Sequence, residues 1–130
     1  MSDVKALVAR AQERWEAGDV EGWLAMFHED AKLFVPGETA VSGDHDKASF
    51  REVGERLLRA VGDSSGQWVI DTYVSPNGAV CLVDQKVDSG GETLHYHAML
   101  LYELKDPTDD RFAFWWLMVH EYDAFAAAWA

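Results

Sequence analysis

The chain has 130 residues, of which 48% are hydrophobic, and a formal net charge of −12. That charge repels nucleic acid and anionic membrane, so neither is expected as a partner. Six tryptophans and the high apolar content exclude a disordered chain, and the length suits one domain over residues 1–130 with a real core.

The opening MSDVKALVAR lacks the long apolar core of a signal peptide. Val4, Leu7, Val8, Ala11 and Trp15 recur at helical spacing. AGD, Ala17 to Asp19, ends that helix, and Asp19 is placed to cap a second one through Trp23, Leu24 and Phe27. Asp30 to Val35 predicts a short strand that Pro36 and Gly37 terminate. A loop, Glu38 to His45, leads to a third helix marked by Phe50, Val53, Leu57, Leu58 and Val61, with Asp44 or Asp46 as its cap. GDSSG follows as a loop.

From there the period changes to two. Trp68 to Val74, Ala79 to Val87, Glu92 to Leu104 and Arg111 to Tyr122 predict four strands. The connections SPNG, DSGG and KDPTDD are short, which makes the strands an antiparallel meander. Cys81, between Val80 and Leu82, is expected as a buried small hydrophobe; a single cysteine forms no internal disulfide and fits a reducing cytoplasm. The longest apolar run, Phe112 to Val119, is too short to span a bilayer.

The fold class is therefore α+β: three N-terminal helices packed on one face of a strongly bent antiparallel sheet. The last strand, FWWLMVHEYD, is apolar on both sides. Trp115, Leu117 and Val119 are expected on the outer sheet face, covered by a second copy of the chain in a homodimer.

RWEAGDVEGWLAMFHEDAKLFVPG (Arg14 to Gly37), SG at Ser42 and Gly43 before a helix, and EYDAF after the last strand resemble the nuclear-transport-factor-2-like superfamily. The resemblance is to its SnoaL-like and ketosteroid-isomerase-like branch and covers nearly the whole chain. It implies a cone-shaped fold with a pocket between helices and sheet. The superfamily includes isomerases, polyketide cyclases, dehydratases, epoxide hydrolases and binding proteins, so fold alone does not choose a function. The isomerase pattern fails at each position that carries it. Its helix tyrosine corresponds to Ala11, its general base before a proline to Val35, and its second acid to Leu100. A steroid isomerase needs a base and an oxyanion donor pair, so that activity is rejected.

The same resemblance directs the even-numbered residues of the last strand into the cone, with His120 and Tyr122 below Met118 and Trp116. His120 is the candidate general acid or base; the alternative is a histidine that is only hydrogen-bonded at the mouth. Tyr96, Leu100 and Tyr102 face inward from the neighbouring strand, and Trp15 and Phe27 from the helices. Each is either a ligand contact or plain core. Together they suit a hydrophobic, cyclic small molecule.

Asp84 shares its face with Lys86 and Asp88 and is expected to be solvated. HYH, His95 to His97, puts two histidines on one strand face, a chelating arrangement. Gly91 and Glu103 around it resemble the cupin metal motif, but the spacing departs on both sides and the residues face outward, so no metal is assigned. His28 and His45 are placed in loops. With no phosphate-cradling glycine loop, no cofactor is implied. Two functions follow: an isomerase, cyclase, dehydratase or hydrolase of a hydrophobic cyclic substrate, or a non-catalytic ligand-binding or dimerisation module. Polar groups converging on the cone floor favour the first, and a filled cone the second.

Overall fold

A computed structural model describes residues 3–61, 67–89 and 92–129. The GDSSG loop and the two glycines of DSGG lie outside the described residues. The elements run α1 (Val4–Glu16), α2 (Val20–Leu24), β1 (Phe27–Val35), β2 (Gly43–His45), α3 (Lys47–Val61), β3 (Gln67–Ser75), β4 (Gly78–Ser89), β5 (Glu92–Leu104), β6 (Phe112–Val119) and α4 (Tyr122–Ala128).

Short acidic side chains start the helices by satisfying free backbone N–H groups. Asp3 accepts from the Ala6 N–H at 3.2 Å and Asp19 from the Gly22 N–H at 2.8 Å. Of the two candidates for α3, Asp46 is the cap; its Oδ1 accepts from the Ser49 N–H at 2.8 Å. Gly18 reverses the chain between α1 and α2 at φ 78°, a left-handed conformation that favours glycine.

The six strands form one sheet in the order β2-β1-β6-β5-β4-β3. The four C-terminal strands are the expected antiparallel meander. β1 runs parallel to β6, which makes the sheet mixed rather than purely antiparallel. Phe27 opens β1 instead of closing a helix, and the loop before α3 holds the short strand β2. EYDAF forms a fourth helix, α4. His28 and His45 lie on strands: His28 Nε2 sits 2.6 Å from Asp109, and His45 Nε2 is 3.0 Å from the Val41 carbonyl.

The register of β6 overturns one expectation. Phe112 pairs with Leu104 and Phe114 with the adjacent Glu103, so an extra residue is inserted at Ala113. Such a bulge moves the residues after it to opposite faces. Phe112 and Ala113 are both buried. Beyond them Trp115 and Leu117 point inward, 4% and 5% exposed. Phe114 and Trp116 point outward, 37% and 47% exposed. The even-numbered residues Trp116, Met118 and His120 therefore lie on the outer face, and Trp115 and Leu117 do not.

The core is aromatic. Trp23, 1% exposed, has ring centroids 4.7 Å from Phe27, 5.1 Å from Trp15, 5.3 Å from Phe50 and 5.5 Å from Trp115. These tilted and edge-on contacts add to the energy of burial itself.

Candidate functional site

Two polar residues interrupt apolar registers and end up inside the cone. Gln12 follows Ala11 on the buried stripe of α1, and Gln85 follows Cys81 and Val83 on the inward face of β4. They are 5% and 7% exposed. With Trp15, Trp23, Tyr96, Tyr102 and Trp115 they line a void of about 20 Å³ between helices and sheet. That is room for about one water molecule. The cone is filled by its own aromatics.

The polar atoms around the void form a short chain. Trp23 Nε1–H donates to the Tyr102 hydroxyl at 3.1 Å, and that hydroxyl donates to Gln12 Oε1. On the far wall Trp129 Nε1–H donates to the Tyr96 hydroxyl at 3.1 Å. Phe125 stands edge-on to the Tyr96 ring, with centroids 5.5 Å apart. The Ala40 N–H donates to the Trp129 carbonyl at 2.9 Å. Two buried donors, Gln12 Nε2 and Trp115 Nε1, have no partner. The Trp115 indole approaches the Tyr102 oxygen without completing a hydrogen bond.

Among the described residues no carboxylate, histidine, lysine, arginine or cysteine lines this void, and the ionisable groups that do are Tyr96 and Tyr102. Burial drives both phenols well above their ordinary range, against the smaller opposite effects of the Trp129 and Trp23 N–H donors. Cys81, raised by burial, packs behind the wall.

The predicted site residues divide between the two faces. Trp15, Tyr96, Leu100 and Tyr102 do line the void, and Phe27 packs behind Trp23 without lining it. Trp116, Met118, His120 and Tyr122 do not enter the cone. His120 is exposed and lines an outer groove of about 330 Å³ with Ile70, Leu82, Met99, Met118 and His97. Tyr122 is 43% exposed at the start of α4, where its hydroxyl accepts from the Glu38 N–H at 3.3 Å. Gln12, Trp23, Gln85, Trp115 and Leu117 are the void-lining residues that sequence reasoning missed. A lone polar residue in an apolar register was the available signal for the two glutamines.

The outer face carries the titratable cluster. Asp84 pairs across the strands with His97 and stands between two histidines. Its Oδ1 lies against His95 Nε2 and 3.8 Å from His97 Nε2. Its carboxylate is only 15% exposed, less solvated than expected. His97 Nδ1 sits 2.7 Å from Glu121 Oε1, and the His97 backbone N–H donates to Glu121 Oε2. These two contacts with His97 push the Glu121 carboxyl down to about 2, and Glu121 in turn raises the His97 imidazole. Among the described residues no three such side chains are arranged to hold a metal ion, and no helix is long and apolar enough to cross a membrane.

Solved structures share this architecture at low identity. Bal32a, from a soil-derived mobile gene cassette, superposes with a TM-score of 0.86 at 18% identity, covering 97% of this chain and 95% of its own. A Xanthomonas campestris protein of unknown function with a cystatin-like fold gives 0.85 at 14% identity, with 99% of each chain covered. A putative SnoaL-like polyketide cyclase from Shewanella putrefaciens gives 0.73 at 14% identity, covering 98% of this chain and 86% of its own. No curated protein matches the sequence. The SnoaL-like domain family matches residues 8–115. With the bulged six-stranded sheet closing over α1, α2 and α3, that match places the chain in the SnoaL-like family of the nuclear-transport-factor-2-like superfamily.

Proposed function

We propose that this chain is a small-molecule-binding module that holds its ligand inside the cone without transforming it. The observation that carries this reading is that, among the described residues, the ionisable groups lining the void are two buried tyrosines whose phenols are raised well above neutral pH. Isomerases, cyclases and dehydratases that work without a cofactor need an acid or base matched to the working pH. Two raised tyrosines supply neither. His120 lies on the outer groove and does not line the void. The cyclase description of the Shewanella protein does not transfer to this chain at 14% identity.

The experiment is a thermal-shift screen of neutral cyclic molecules at high protein concentration, followed by mass spectrometry of every molecule that shifts the transition. A binding module stabilises with its ligand by mass action and returns it unchanged. A product that accumulates with time overturns the non-catalytic reading, and its persistence in His120→Ala would put the chemistry inside the cone.

A specific observation also supports homodimerisation. Ile70, Tyr73, Met99, Phe114 and Trp116 stand exposed on the outer sheet face of a chain with net charge −12. That face sets Lys86, His95, His97 and His120 among the carboxylates Asp71, Asp84, Glu103 and Glu121, so a two-fold contact there would pair cations of one copy with carboxylates of the other. Sedimentation of the wild type should give a dimer and Trp116→Glu a monomer. A wild type that stays monomeric at 100 µM, on the order of a weak complex, removes the dimer reading.

A further inference from the structure

We infer that the cone seats one hydrogen-bond acceptor, an oxygen of a neutral and otherwise apolar ligand, between Gln12 Nε2 and Trp115 Nε1. The inference rests on the binding reading above and adds the chemical class of the ligand. Both side chains line the same void, they are 5% and 4% exposed, and neither donor completes a hydrogen bond among the described residues, the Trp115 indole only approaching the Tyr102 oxygen. A buried donor left unpaired is costly, and two facing one void are rarer still.

The direction of the Gln12 amide is fixed by its neighbour. The Tyr102 oxygen already accepts from Trp23, and its single proton goes to Gln12 Oε1. Turning the amide over would leave that proton without an acceptor, so the NH₂ group is the half left for the void. The seat thus offers two N–H donors and asks for an acceptor. The walls around it, Trp15, Trp23, Leu100 and Leu117, are apolar. With no counter-ion among the lining residues, a carboxylate or an ammonium would be buried unpaired, which is prohibitive. A ketone, lactone or ether oxygen on a hydrocarbon body fits this set.

The void of about 20 Å³ takes the oxygen and no ring. The ligand body needs the wall at Tyr96 to move. That wall is backed by Phe125 and Trp129 of the C-terminal segment, which is tied there by the Trp129–Tyr96 bond and by the Ala40–Trp129 backbone bond. Opening it leaves the strand ladder of β5 intact.

The test uses the full chain with ¹⁵N-labelled tryptophan, titrated with cyclohexanone, methylcyclohexane, cyclohexanecarboxylate and cyclohexylamine. The Trp115 indole signal is identified by its loss in Trp115→Phe. Cyclohexanone should move that signal saturably and bind at least about tenfold more tightly than methylcyclohexane, and the two charged probes should not compete. Trp115→Phe removes the N–H together with part of the ring, so methylcyclohexane serves as the control for the packing change; the variant should lower the preference for cyclohexanone over methylcyclohexane about three- to tenfold. Gln12→Leu, checked for folding by circular dichroism, should do the same. Equal affinity for ketone and hydrocarbon overturns the acceptor seat and leaves the binding reading standing. Turnover of the ketone leaves the seat and overturns the non-catalytic reading. If no probe binds and the indole shows contact only with water, the seat is a hydration site and both readings fall.

Discussion

The inner face of the sheet buries Tyr102, Trp115 and Leu117 beneath the helices, whereas the outer face leaves Ile70, Met99 and Trp116 open beside histidines and carboxylates. Both faces are rich in large apolar side chains. Only the inner one closes into a packed core with a hydrogen-bonded floor. Hydrophobicity alone does not mark a core; coverage by other elements does. The outer face has apolar area without a cover in the monomer, and its charges pair laterally along the surface rather than with anything above them.

Truncation of one tryptophan on each face separates the two most sharply. Trp23→Ala removes the ring that touches Trp15, Phe27, Phe50 and Trp115, and should cost about 3–5 kcal/mol in urea unfolding. Trp116→Ala, measured at dilute protein, should cost under about 1 kcal/mol. Comparable costs for the two would mean that the outer face is packed in the monomer as well, and the comparison would fail.

A smaller effect tests the inner floor. Tyr102→Phe leaves Gln12 Oε1 and the Trp23 indole N–H without partners in a buried setting. The expected loss is about 1–3 kcal/mol, read from the denaturant midpoint. A neutral result would show that water already satisfies those atoms.

The smallest effect belongs to the outer pair. Glu121 is depressed from 4.5 to about 2 by His97, so its contribution is present above pH 4.5 and is lost as pH falls toward 2. His97 is raised above 6.5, chiefly by Glu121, so its contribution is full below pH 6.5 and is lost as pH rises through the folded value. Together they favour the native state most between about pH 4.5 and 6.5. Both side chains are exposed to solvent, which keeps the effect small. Urea unfolding at pH 3, 5.5 and 8.5 should show a maximum at pH 5.5 that flattens in Glu121→Gln. A maximum of equal height in the variant would show that the pair contributes nothing.

Much of the architecture was written in local chemistry. The α1 stripe, the acidic cap at Asp19, and the SPNG and KDPTDD turns each follow from short-range spacing and are found as expected, and Asp46 is the one of the two candidate caps that starts α3. Tyr96 and Tyr102, placed inward by the family resemblance, are indeed buried, on a β5 that alternates large buried residues with the exposed His95 and His97. The candidate site was only half visible. FWWLMV has no polar residue to show which side is wet, so its period-two pattern fits either face equally well.

The sequence by itself determined the class of the fold, the order of its elements apart from β2 and α4, and an aromatic interior, because caps, turns and apolar periods act over a few residues. Only the tertiary structure decided what lies inside. The extra residue at Ala113 set the phase of β6 against β5, and that phase turned His120 outward and Trp115 inward. The pairing of β1 beside β6 and the meeting of Gln12 with Tyr102 bring together residues that lie far apart along the chain. Register and long-range packing are properties of the assembled sheet, and no window of neighbouring residues contains them.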